Sequence, residues 1–175
     1  MKTKAGFTLI EVLVALVILA GGLLGFAALQ SVSLKKSLSA YNSGQASQLA
    51  YNLADRMRAN VADAKLATDS NPLTVSAYLG APAEKKNCTA TAGCTPTEMA
   101  QNDLFEWQQE IIDALGARSS GTVSYTIATG FFNVAITWDD NRDGDVDGHI
   151  GPRNGDTDGD GDTDDDPMYQ MTFKL

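Results

Sequence analysis

The run Gly6-Phe7-Thr8-Leu9-Ile10-Glu11-Val12-Leu13-Val14-Ala15, continued by apolar residues as far as Leu29, decides how the chain is organised. Between Phe7 and Leu29, 23 residues, the only ionisable side chain is that of Glu11. A helix of this length rises about 34 Å and spans a hydrocarbon core of about 30 Å. An acid at mid-membrane depth costs about 2.5–3.5 kcal/mol on insertion scales, so Glu11 requires a partner. No Lys or Arg lies within the span. The nearest cation that chemistry can supply is a new backbone amine, made by cutting the chain before Phe7. Processing and a neighbouring molecule are both expected from this one carboxylate.

Met1 to Gly6 lacks the apolar region of an ordinary secretory signal, while Lys2 and Lys4 supply a positive start. By the positive-inside rule the N-terminus stays in the cytoplasm and the rest is exported, although Lys35 and Lys36 weaken the asymmetry. The plain alternative is an uncleaved signal anchor, which gives no reason for Glu11. Gly21, Gly22 and Gly25 punctuate the apolar run, each costing about 1 kcal/mol relative to Ala in a helix. They mark a place for close helix approach or for loosening.

Beyond Leu29 the pattern becomes one-sided. Leu34, Leu38, Tyr41, Leu49, Leu53, Met57 and Val61 recur at helical steps, with Gln45 the polar exception. One helix from Phe7 to about Asn60 follows, about 80 Å long, with that stripe toward a globular head. Residues 68–96 carry no sustained period and read as a loop. Thr95-Pro96-Thr97-Glu98 is a capping box with Pro at the first helical position, predicting a second helix over 96–115. Its inward face is Ala100, Leu104, Trp107, Ile111 and Leu115, and Gly116 suits the stop. Two-residue alternation at Val123, Tyr125 and Ile127, at Phe132 to Trp138, and at Tyr169 to Leu175 predicts three antiparallel strands, with a turn at Thr129-Gly130. The fold class is α+β. The divisions are a leader over 1–6, a transmembrane half-helix over 7–30, an amphipathic half-helix over 31–62, and a head over 63–175.

The net charge of −9 is not evenly spread. Residues 139–166 hold twelve Asp against Arg142 and Arg153, a local −10, so the remainder carries about +1. No basic stripe exists to neutralise phosphates, which argues against nucleic acid as a partner. Within the acidic segment, Asp139, Asn141 and Asp143 with Gly144, followed by Asp145 and Asp147, match the opening of a calcium loop. Ile150 stands where such a loop carries its bidentate Glu, and a frame starting at Asp143 fits equally well. Asp156, Asp158 and Asp160 repeat the spacing, and Asp162, Asp164, Asp165 and Asp166 offer further carboxylates. Hard oxygen donors in flexible turns favour Ca2+ over magnesium or zinc. The alternative is a solvated, irregular loop.

Cys88 and Cys94 flank five residues, and an exported head favours a disulfide between them, with free thiols as the alternative. A metal pair is disfavoured because His149 is the only histidine. That single histidine lies inside the acidic run and supports no nucleophile–base arrangement, so an enzyme is not expected.

The leader Met1-Lys-Thr-Lys-Ala-Gly6 followed by Phe7-Thr-Leu-Ile-Glu11-Val-Leu-Val-Ala resembles the class III signal of type IV pilin precursors. Gln45-Ala-Ser-Gln-Leu-Ala-Tyr-Asn-Leu-Ala-Asp-Arg-Met-Arg-Ala-Asn60 and Asp103-Leu-Phe-Glu-Trp-Gln108 resemble the PilV branch of minor pilins. The resemblance implies a pilin fold, with a long N-terminal helix packed on a head that holds an antiparallel sheet and a second helix. It implies cleavage after Gly6 by prepilin peptidase, methylation of Phe7, and use of Glu11 in assembly. It implies as partners other minor and major pilins, an inner-membrane assembly platform and a tip adhesin. It also implies an inner-membrane precursor that becomes an extracellular pilus subunit serving assembly, adhesion and twitching. The rivals are a minor pseudopilin of type II secretion and a membrane-anchored calcium-binding adhesin that never polymerises.

Overall fold

A computed structural model describes residues 8–68, 76–81, 88, 93–140, 146 and 167–175. The chain divides into two compact units, Met1–Ala40 and Tyr41–Leu175. Helix α1 runs from Leu9 to Ala59 without a break, as expected of 51 residues that contain no proline. It is continuous through Gly21, Gly22 and Gly25 in the single chain, so any loosening there belongs to the assembled state. In the first unit the large apolar side chains are exposed all round, from Leu9 and Ile10 to Leu24 and Leu29. The helix is long and apolar enough to cross a membrane.

In the second unit α1 buries Leu53 and Met57 of the anticipated stripe, on a face otherwise made of alanines. Ala46, Ala50, Leu53, Ala54 and Met57 are fully enclosed and Leu49 is half-buried, while Tyr41 and Val61 stay exposed, as do Leu34 and Leu38 in the first unit. Three alanines spaced by four residues let other elements approach the helix backbone closely, so the contact is made by small side chains. The chain then continues through the short helix α2 (Val61–Ala64) and two single 3₁₀ turns, Lys65–Thr68 and Ala77–Leu79.

Helix α3 spans Pro96–Leu115 and begins as its sequence dictates. Thr95 Oγ1 accepts from the Glu98 N–H at 3.3 Å, and the Glu98 carboxylate accepts from the Thr95 N–H at 2.9 Å, satisfying two of the orphan donors. It stops at Gly116, whose φ of +112° is in the range that favours glycine, with its N–H donating to Ile112 O. Ala100, Leu104, Trp107 and Ile111 are buried as predicted, and Leu115 is half-buried.

Strands β1 (Ser120–Thr126), β2 (Phe131–Thr137) and β3 (Met168–Phe173) form one antiparallel sheet in the order β1-β2-β3. Phe132, Val134 and Ile136 of β2 are buried with Phe173 and with Trp138, just past the end of β2, and they pack with α1 and α3 in one core. Ile127 departs from the expectation. It lies in the β1–β2 turn and is 81% exposed, because the turn already starts after Thr126. Gly121 sits directly under the Trp107 ring, where a Cβ would come within 2.6 Å of Ile111 Cδ1 and closer still to the indole.

Gln108 closes the outer edge of β1. Its Nε2 donates to Ser119 O at 3.1 Å and its Oε1 accepts from the Gly121 N–H at 3.1 Å. One side-chain amide thus stands in for a neighbouring strand, blunting an edge that is otherwise open to pairing.

Candidate functional site

The N-terminal site begins at the first turn of α1. Glu11 is exposed there, and its Oε2 accepts from the Thr8 N–H at 2.8 Å and from the Thr8 hydroxyl at 2.9 Å. This is the reaching-back half of a capping box, written in the sequence as Thr8-x-x-Glu11. The acid therefore has a neutral partner within its own chain, besides any cation that processing supplies. Gly6 and Phe7, the expected cleavage pair, lie outside the described residues.

Most of the expected calcium set also lies outside the described residues. This holds for Asn141, Asp143, Asp145, Asp147, Asp156, Asp158, Asp160, Asp162 and Asp164, leaving Asp139, which is half-buried. Among the described residues no group of three or more His, Cys, Asp or Glu is placed to hold a metal ion. Both borders of the acidic segment are fixed to α1. Asp140 Oδ1 accepts from Asn42 Nδ2 and from Trp138 Nε1, each at 3.2 Å, and Ser47 Oγ bonds the Tyr169 hydroxyl at 3.2 Å. Cys88 and Cys94 are joined in a disulfide with Cα atoms 4.9 Å apart, as the exported-head reading expected.

The two stretches that carry the minor-pilin resemblance meet in space. Arg56 of α1 faces three acids of α3, with Nη2 2.6 Å from Glu110, Nη1 3.5 Å from Glu106 and Nη1 4.0 Å from Asp103. Its Nε donates to Asn52 at 2.7 Å. Trp107 Nε1 donates to the Leu49 carbonyl at 2.9 Å. Behind Arg56, the buried Tyr78 hydroxyl donates to the Asp103 carboxylate. Burial, and then that hydrogen bond, push the Tyr78 phenol well above the usual tyrosine range. Burial raises the Asp103 carboxyl, while Tyr78 and Arg56 pull it back. Asp63, fully buried, accepts from Ser76 Oγ at 2.8 Å and the Ala77 N–H at 2.9 Å, tying Ala77–Leu79 to α2. These groups fasten α1, α3 and the intervening turn, and no nucleophile with an adjacent base occurs among them.

A family model described as type IV pilin Tt1218 matches residues 28–105, which include Arg56, Tyr78 and Asp103. The prokaryotic N-terminal methylation motif matches residues 1–26, which include Thr8 and Glu11. No curated protein and no solved structure matches the chain. The apolar helix and the methylation motif fit a membrane-anchored precursor and a pilus subunit, and pilins associate with other pilins and with the pilus machinery. Over residues 28–105 the chain matches the type IV pilin family, a structural and not an enzymatic one, and over residues 1–26 it carries the N-terminal methylation motif of prepilins.

Proposed function

We propose that this chain is a minor pilin of the PilV type. It is cut after Gly6, methylated at Phe7, and incorporated with other minor pilins into the tip or priming complex of a type IV pilus. There it promotes assembly, adhesion and twitching, with its head outside the inner membrane. The observation that carries the reading is Glu11, the single ionisable group in an otherwise apolar span. In the free subunit its carboxylate is satisfied by Thr8. On assembly the amine exposed at Phe7 of an adjacent subunit offers a charged partner in place of the Thr8 dipoles, which makes pairing in lipid favourable and sets the register of neighbouring helices. The acidic segment is a calcium-ordered loop that steadies the last strand, a role supported by the Asp spacing of residues 139–164.

Glu11→Gln tests the mechanism. The amide keeps an acceptor for Thr8 and loses the charge, so membrane insertion stays intact while the amount of chain recovered in sheared filaments falls at least tenfold. Normal incorporation of Glu11→Gln refutes it. Mass spectrometry of the mature N-terminus separates the pilin from a tethered adhesin that never polymerises, since the adhesin keeps its Gly6–Phe7 bond. Loss of pili on deletion, as opposed to loss of secretion, separates it from a pseudopilin.

A further inference from the structure

The outward face of the sheet takes no part in the packing described above. The register sets Ser120, Thr122, Ser124 and Thr126 of β1 beside Thr137, Ala135, Asn133 and Phe131 of β2. Gln170 and Thr172 of β3 extend the same rows. None of these residues is charged, in a chain with 13 Lys and Arg and 22 Asp and Glu. A solvated face that ends in an edge strand ordinarily carries Lys or Glu to stay soluble and unpaired. Here β1 reads Ser-x-Thr-x-Ser-x-Thr, and every one of those four positions is exposed.

The hydrogen-bonding groups of this face are largely uncommitted. Ser120 and Thr137 share one bond of 3.1 Å at one end. The hydroxyls of Thr122, Ser124, Thr126 and Thr172 make no side-chain hydrogen bond among the described residues. Asn133, in the central strand between Ser124 and Thr172, has its Oδ1 enclosed and without a partner. An enclosed acceptor of that kind is costly unless something donates to it. Phe131, 43% exposed, ends the central row, with Lys174 Nζ over one side of its ring, 6.0 Å from the centroid.

We propose that this face binds a neutral glycan chain. Hydroxyls and amides that both donate and accept match the hydroxyls of a sugar, and the exposed Phe131 ring offers an apolar platform for the C–H side of a pyranose. Among the described residues an anionic ligand meets no cation on this face except Lys174, in a head whose acidic segment carries −10. A cationic ligand meets no carboxylate of the described residues on this face. The proposal names the ligand class for the adhesive part of the role above and requires nothing of filament assembly.

The test uses the full-length protein in a detergent without a sugar headgroup, titrated calorimetrically with chitotetraose, dextran and heparin. At least one of the two neutral glycans binds, and Ser124→Glu and Thr172→Glu each weaken it at least tenfold at unchanged melting temperature. The proposal falls if neither neutral glycan binds at millimolar concentration, if heparin alone binds, or if binding survives both substitutions. It also falls if Ser124→Glu abolishes only self-association measured by light scattering, since the face is then a contact between copies. Pilus assembly is not read in this assay, so its outcome leaves the assembly mechanism standing or falling on Glu11.

Discussion

Replacing Gly121 by Ala puts one methyl group into the tightest contact of the head. The new Cβ lies 2.5 Å from Trp107 Cζ3 and 2.6 Å from Ile111 Cδ1, where carbon atoms prefer about 3.5–4.0 Å. Both neighbours are buried, Trp107 at 1% exposure and Ile111 at 0%, so neither can swing into solvent. Overpacking of this kind costs about 1–3 kcal/mol, and the gain from replacing a strand glycine offsets about 0.5–1 kcal/mol of it. Because neither neighbour can yield, the upper end of the overpacking range applies, and the net loss is about 2–2.5 kcal/mol, which lowers the melting temperature by about 4–10 °C for a chain of this size. Thermal unfolding followed by tryptophan fluorescence reads it. A Trp107→Phe background, which makes room under the strand, should reduce the cost of Gly121→Ala. An unchanged melting temperature, or the same loss in both backgrounds, refutes the packing argument.

Reduction of Cys88–Cys94, six positions apart, should add 2 Da to the mass and remove about 2 kcal/mol of stability by the loop-entropy relation; an unchanged unfolding midpoint in reductant contradicts it. Asp103 gives a pH signature. Burial raises its carboxyl above the ordinary value of 3.8, so its contribution is fully present below that pH and is lost as pH rises through the folded-state value. Asp103→Asn, whose Oδ1 still accepts from Tyr78, should flatten that decline in pH-dependent denaturation curves, and an identical curve for the variant rules the assignment out. Millimolar calcium should raise the melting temperature of the full-length protein, with EGTA reversing the shift; no response to calcium removes the metal from the account of the acidic segment.

Local rules made much of the fold legible. Thr95, Pro96 and Glu98 announce α3 because a capping box is decided within four residues. The strands are legible because a two-residue period survives wherever one face is buried. The buried face of α1 was legible at Leu53 and Met57 and not at its alanines. Ala46, Ala50 and Ala54 carry little hydropathy, whereas Leu34, Leu38 and Tyr41 carry much and remain exposed. Nor could sequence pair Tyr78 with Asp103, 25 residues apart, or Asp63 with Ser76 across a stretch without periodicity. At the N-terminal site the signal was present and unread, since Thr8-x-x-Glu11 already spells the bond that the Glu11 carboxylate makes.

The moorings at Asn42–Asp140 and Ser47–Tyr169 hold the borders of residues 141–166 on the same stretch of α1. With both borders anchored, the span between them is free to vary in size across evolution. Chain-closure entropy grows only logarithmically, so doubling such an insertion costs about 0.6 kcal/mol. Lineages can therefore enlarge, prune or exchange this stretch as a cassette while Trp138 and Tyr169 keep their places on the stem.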